Sequence, residues 1–143
     1  MPLSNSTPKD YVVLTTWRTG STWLMDRLNS VPGVQGHVEL FYHLPRRSPP
    51  KAGCNDYPRY VERTKAGIRP WSVMKYLDGV YSRKEAIGFK LMYEHLRAYP
   101  EILWFIVKRR LRVIHLVRDN HLDVVISSQL ASTSGTWHRT RDE

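Results

Sequence analysis

The chain has 143 residues, a length that fits one domain with a buried core. An apolar fraction of 41% and an aromatic fraction of 11% favour a globular fold over a disordered one. The formal net charge of +9 favours a polyanionic partner: nucleic acid, an acidic membrane, an acidic glycan or a phosphorylated cofactor.

Targeting and cysteine signals are sparse. Cys54 is the single cysteine, which excludes an internal disulfide, and we interpret it as a small core or loop residue. The polar N-terminal segment lacks the apolar region of a secretory signal, and no apolar run approaches the roughly 20 residues of a spanning helix. We therefore expect a cytoplasmic protein without a membrane span, with a flexible tail over residues 1–10 and one domain over residues 11–143.

Strand and helix signals alternate along the chain. The predicted strands cover residues 11–16, 34–41, 86–92 and 112–117, and the predicted helices cover residues 22–29, 70–81, 101–110 and 120–131. A proline-rich stretch predicts a long loop over residues 44–58, and residues 132–143 carry no signal. This order predicts an α/β fold with three α/β/α layers around a central parallel sheet.

Ligands of such sheets bind beyond the carboxyl ends of the strands. Two predicted strands end in polar, basic residues that lead directly into a helix, at residues 17–22 and 118–120. In the first corner Gly20 lets the backbone approach a phosphate, the helix start offers N–H donors, and Arg18 adds a cation. The alternative is an ordinary helix capped by Ser21 or Thr22. The triphosphatase signature GxxxxGK[ST] is absent.

The segment Arg18-Thr-Gly-Ser-Thr-Trp-Leu24, after Val-Val-Leu-Thr-Thr, resembles the 5′-phosphosulfate loop of sulfotransferases that use 3′-phosphoadenosine 5′-phosphosulfate (PAPS). It is most similar to the arginine-bearing form of carbohydrate sulfotransferases, including bacterial enzymes that act on nodulation factors and glycolipids. The resemblance continues at residues 38–41, 88–92 and 113–118. Since family members are longer, the chain resembles the N-terminal and central portion of a C-terminally truncated sulfotransferase domain.

The resemblance implies a P-loop-like sulfotransferase fold, incomplete here, with PAPS as co-substrate and no metal. It implies that Arg118 and Ser127 bind the 3′-phosphate, although Ser127 lies one residue further from the arginine than in many relatives. The alternative is that Arg118 pairs with a carboxylate such as Asp123. The residues that the resemblance places around the cofactor are Arg18, Thr19, Gly20, Ser21, Thr22, Trp23, Arg118 and Ser127.

The resemblance also suggests a general base. Glu39 lies in a segment where related bacterial enzymes place a proposed base, and His37 is the second candidate because aryl-type relatives use a histidine. Arg18 would stabilise the charge on the departing phosphate. Lys90 either contacts an anionic ligand or points to solvent.

Other basic and aromatic residues have two interpretations each. The histidines show no metal-ligand spacing, and His115 is interpreted as a core residue of its strand. The basic run 108–112 either complements a helix dipole or attracts an anionic glycan or membrane headgroup. Some aromatic side chains could stack on a sugar, although core packing is the commoner use. These residues are Tyr57, Tyr60, Trp71, Tyr76 and Tyr81.

The sequence thus predicts an enzyme that transfers a sulfuryl group from PAPS to an acceptor hydroxyl, on a carbohydrate or glycolipid. The alternatives are a non-catalytic fragment that binds anions or glycans and an ATP-Mg-dependent P-loop kinase. We expect no nucleic-acid partner, and peripheral membrane contact stays open.

Overall fold

The computed structural model describes residues 9–42, 56–65, 67–82 and 85–134. Its strands are β1 (Tyr11–Thr15), β2 (Val34–His37), β3 (Ala86–Met92) and β4 (Arg112–Leu116). They form one four-stranded parallel sheet in the order β2-β3-β1-β4. The helices of the described part are α1 (Ser21–Asn29), α2 (Tyr57–Thr64), α3 (Trp71–Val80), α4 (Tyr93–Ala98), α5 (Glu101–Arg109) and α6 (His121–Ser134). The predicted α/β class with a parallel sheet is confirmed.

Helices pack on both faces of the sheet, which produces the three layers. Val12 of β1 points into the larger core cluster, where Phe105 of α5 is also buried. Its neighbour Val13 points to the opposite face and packs with Met25 of α1. Below, we call these the α5 face and the α1 face.

The interior of the sheet differs sharply from the β4 edge. All seven residues of β3 are buried, because β2 and β1 flank the strand and helices cover it. Strand β4 is an outer strand of the sheet that the structure describes, and its first four residues are exposed. The following helix α6 buries Ala131 but exposes Leu122, Val125 and Leu130.

Three elements differ from the sequence prediction. Strand β2 ends at His37, and Leu40 and Phe41 enter the core after the strand has ended. Helix α2 begins at Tyr57, inside the predicted loop, and the Asp56 side chain caps it by accepting from the Arg59 N–H at 3.1 Å. The sequence analysis also missed α4, which follows β3 without a break. The rest of the predicted loop, including Cys54, and the predicted tail up to residue 8 lie outside the described residues.

Candidate functional site

The two strand-to-helix corners lie side by side. Because β1 and β4 are neighbouring parallel strands, the loops after them start at the same edge of the sheet. Arg18 Nε donates a hydrogen bond to Ser127 Oγ at 2.8 Å, which joins the first corner to α6. Arg118 Nη1 donates to the main-chain oxygen of Arg18 at 3.2 Å. Three of the predicted cofactor residues are therefore in direct contact across the two corners.

Arg18 has an unusual backbone conformation, with a φ of 61° in the left-handed region. Lys65 and Arg110 share this region, but both terminate helices, where it is common. Arg18 lies in a loop before a helix, so no helix end accounts for its conformation. Strained backbone of this kind concentrates at ligand-binding sites and costs on the order of 1 kcal/mol or more.

A buried threonine holds this loop in place. Thr15, the last residue of β1, is fully buried, and its Oγ1 lies 2.5 Å from Thr19 Oγ1. The same hydroxyl is 3.1 Å from the main-chain oxygen of Leu116, at the end of β4. Thr15 thus ties β1, the loop and β4 together. The sequence analysis missed this role, because Thr15 lies inside the strand predicted over residues 11–16.

The start of α1 is capped by neither of the hydroxyl residues proposed for that role. Gly20 is the N-cap residue, with a φ of 80° and no side-chain cap hydrogen bond. The prediction of Ser21 or Thr22 as the cap residue is therefore wrong. Ser21 is buried at the first helical position, and Trp23 is exposed with the Arg27 guanidinium 5.4 Å from its ring centre.

Arg118 also forms the carboxylate pair that was the alternative prediction. Its Nη2 lies 3.1 Å from Asp123 Oδ2, and more than a third of each side chain is exposed. Ion pairs this exposed contribute about 0–1 kcal/mol to stability. A phosphate that accepts two hydrogen bonds from the guanidinium could therefore replace Asp123 at small cost.

Glu39 and Lys90 form a buried ion pair. Lys90 Nζ lies 2.6 Å from Glu39 Oε1, and their side chains are 6% and 14% exposed. The alternative in which Lys90 points to solvent is therefore wrong. Because Phe89 and Leu91 point into the cluster on the α5 face, Lys90 between them points to the α1 face. The ion pair and the start of α1 thus lie on the same face of the sheet, and His37 ends the strand just before Glu39.

A shallow cleft of about 310 Å³ opens beside Arg118. His115, on its wall, is exposed and shares a hydrogen bond with the Tyr93 hydroxyl, so its interpretation as a core residue is wrong. The reason is that β4 is an outer strand in the described sheet, whereas the apolar pattern suggested an interior one. Thr16 and His121 also line the cleft.

The aromatic residues considered for sugar stacking serve mainly in packing. Tyr57, Tyr76 and Tyr81 are buried, and Tyr57 and Tyr76 pack around Phe41 with ring centres 5.4 and 5.8 Å away. Burial raises the pKa of Tyr81, whose hydroxyl donates to the main-chain oxygen of Tyr11 at 2.8 Å. Trp71, in contrast, is largely exposed.

Comparisons with protein-family models, with curated proteins and with solved structures give no significant match. Within the described ranges, no group of three or more His, Cys, Asp or Glu side chains could hold a metal ion. No helix in the part of the chain that the structure describes is long and apolar enough to cross a membrane. The function is therefore inferred from the geometry of the site.

Proposed function

We propose that the chain is the nucleotide-binding part of a PAPS-dependent sulfotransferase of P-loop-like fold, acting on a hydroxyl of a carbohydrate or glycolipid. The observation that carries this proposal is the contact between the two corners. Arg18 contacts Ser127 at 2.8 Å, and Arg118 contacts the Arg18 main-chain oxygen at 3.2 Å. Two anion-binding corners this close can hold the two phosphate groups of one nucleotide.

Each corner has a role in this proposal. The start of α1, with Thr19, Gly20, Ser21 and Thr22, binds the 5′-phosphosulfate through main-chain N–H groups and hydroxyls. Arg118 and Ser127 bind the 3′-phosphate, and Arg118 exchanges Asp123 for phosphate oxygens. The guanidinium of Arg18 lies between the corners. The exposed ring of Trp23 offers a flat surface on which the adenine ring of the nucleotide can stack.

The transfer step follows from these roles. A bond forms between the acceptor oxygen and sulfur while the bond between sulfur and the 5′-phosphate oxygen breaks. The acceptor proton passes to Glu39, which Lys90 holds at 2.6 Å, with His37 as the alternative base. Arg18 stabilises the negative charge on the departing phosphate.

The ion pair of Glu39 favours a second candidate function. Lys90 already occupies one carboxylate oxygen, and such pairing also suits a purely structural role. In that case the chain binds an anion or a glycan without catalysis. Turnover by the wild-type chain separates the two candidates.

Thermal shift with 3′-phosphoadenosine 5′-phosphate, compared with ATP-Mg²⁺, tests the nucleotide assignment. We expect the bisphosphate at 100 times its dissociation constant to add about 2.7 kcal/mol of stability, and ATP-Mg²⁺ to add much less. Arg18→Ala should remove most of the shift, whereas Arg97→Ala, at an exposed position on α4, should retain it. A shift with ATP-Mg²⁺ alone would support the kinase alternative instead.

A sulfuryl-transfer assay over a panel of carbohydrate and glycolipid acceptors tests whether Glu39 or His37 is the general base. Glu39→Gln should abolish turnover, because it removes the proton acceptor, and should leave the affinity for the bisphosphate within about twofold, because Glu39 is no nucleotide ligand in this proposal. The variant also removes the ion pair with Lys90, so circular dichroism must show that it is folded. His37→Gln should retain turnover. If Glu39→Gln retains activity and His37→Gln loses it, the histidine is the base. If the wild-type chain binds the nucleotide but transfers nothing, the non-catalytic candidate is correct.

A further inference from the structure

The outward side of α5 and the turn after it form a surface that the proposed nucleotide site does not use. Its apolar members are Leu103, Trp104 and Val107, which are 50%, 55% and 73% exposed. Its basic members are Lys108 and Arg110, which are both exposed. We call these five residues the α5 patch.

The α5 patch is one continuous surface. Residues 103, 104, 107 and 108 have the spacing that places side chains on one side of a helix. Lys108 Nζ lies 4.8 Å from the ring centre of Trp104, so cation and aromatic ring are neighbours.

The two basic side chains of the α5 patch have no acidic partner in the part of the chain that the structure describes. No carboxylate there forms an ion pair with Lys108 or Arg110. Arg109, on another side of the helix, differs because it pairs with Asp78 at 2.5 Å. The patch therefore combines three large exposed apolar side chains with two positive charges, in a chain of net charge +9.

We propose that the α5 patch docks on an anionic membrane surface. Trp104, Leu103 and Val107 insert at the boundary between headgroups and acyl chains, and the two basic side chains bind lipid phosphate and carboxylate groups. The aliphatic residues favour a bilayer over a nucleic acid, which offers phosphates and stacking surfaces but no hydrocarbon layer. The inference is independent of the sulfotransferase proposal, since it uses none of the residues of the two corners.

Co-sedimentation with vesicles tests this docking. The wild-type chain should bind phosphatidylcholine vesicles that contain phosphatidylserine and should leave pure phosphatidylcholine vesicles in solution. Lys108→Gln with Arg110→Gln should weaken binding at least about tenfold, because each basic residue near an anionic surface contributes substantially. Trp104→Ser with Val107→Ser should weaken it similarly, since the insertion is lost. Circular dichroism checks that both exposed-site variants are folded.

The matched control uses another exposed tryptophan and lysine on one helix. Trp71 and Lys75 of α3 are exposed and four residues apart, and Trp71→Ser with Lys75→Gln should leave vesicle binding unchanged. Equal losses in this control would overturn the proposal, as would absence of binding to anionic vesicles at low salt. Two other outcomes would also overturn it. In the first, the wild-type chain binds an RNA oligonucleotide but no vesicles, and the α5 variants lose the RNA binding. In the second, the chain self-associates but binds no vesicles, and the α5 variants lose the self-association.

Discussion

The interior of the sheet is packed with apolar side chains, whereas its β4 edge carries polar and basic side chains and the proposed nucleotide site. Val12 of β1 and Val113 of β4 are register partners on the same face, yet Val12 is 0% exposed and Val113 is 50% exposed. The interior packs apolar side chains on both faces, whereas contacts at the β4 edge include Arg18, Arg118 and Ser127. Binding regions are commonly drawn from the less stable part of a fold, and the proposed nucleotide site lies at this edge.

The largest expected effect compares the two valines directly. Val12→Ala should lower the free energy of unfolding by about 2–3 kcal/mol, because it leaves a cavity in the core. Val113→Ala should cost less than about 1 kcal/mol, because its side chain is half solvated. Denaturant unfolding measures both. Equal losses would mean that the β4 edge is as tightly packed as the interior.

The next prediction concerns the close packing of Tyr11 against β3. A Cβ on Gly88 would overlap three ring carbons of Tyr11, and a buried ring in a sheet cannot move easily. Gly88→Ala should therefore destabilise the chain by about 1–3 kcal/mol. Gly36→Ala, whose nearest clash is the flexible Met25 methyl at 2.5 Å, should cost less. The reverse ranking in thermal unfolding would show that the Tyr11 ring is free to shift.

A smaller effect comes from the ion pair between Arg69, just before α3, and Glu101, the first residue of α5. Arg69 donates two hydrogen bonds to the carboxylate, at 2.6 and 2.8 Å, and these bonds lower the pKa of Glu101. A lowered pKa stabilises the fold above the ordinary carboxylate range and loses this contribution as the pH falls through the folded-state value. Glu101→Gln should cost up to about 1 kcal/mol near neutral pH, since Arg69 is partly exposed.

The pH dependence of that difference is the control. The stabilities of wild type and Glu101→Gln, measured by urea unfolding, should converge as the pH falls below about 4. A difference that stays constant across the acidic range would mean that the charge of Glu101 does not contribute.

The smallest expected effect has the opposite sign. Tyr11 Oη is buried without a hydrogen-bond partner among the described residues, and burial raises the pKa of this hydroxyl. Tyr11→Phe removes the unsatisfied group and keeps the ring, so stability should rise by up to about 1 kcal/mol. Tyr81→Phe is the matched control and should lower stability by about 1 kcal/mol, because it removes the hydrogen bond from the Tyr81 hydroxyl to the main-chain oxygen of Tyr11. A loss of stability in Tyr11→Phe would point to a partner for the hydroxyl.

The parallel α/β architecture could be predicted because strand and helix periodicities alternate clearly. The early end of β2 could not, since Leu40 and Phe41 are apolar and buried whether they belong to a strand or to the turn that follows. Helix α2 was hidden because Pro58, which suggested a loop, is tolerated in a first helical turn. The exposure of β4 was hidden because an apolar strand carries no sign of its place in the sheet.

Much of the candidate site could also be predicted, because loops after parallel strands share one edge. The sequence placed Arg18, Arg118 and Ser127 at the two corners that contact each other, and their role as nucleotide ligands stays a prediction. The ion pair between Lys90 and Glu39 could not be predicted from the sequence. The two residues are neighbours only because β2 pairs with β3, and the sequence does not give the order of the strands in the sheet. Thr15 was missed because a buried hydroxyl in a strand resembles any β-branched core residue.

Calorimetric titration with three nucleotides tests most directly whether both corners hold one ligand. We expect 3′-phosphoadenosine 5′-phosphate to bind at least about tenfold more tightly than adenosine 5′-monophosphate or adenosine 3′-monophosphate, because charge-assisted hydrogen bonds contribute about 1.5–3 kcal/mol each. Arg118→Ala should reduce the affinity of the bisphosphate to that of the 5′-monophosphate. Equal affinities of the wild-type chain for all three nucleotides would contradict a site that spans the two corners.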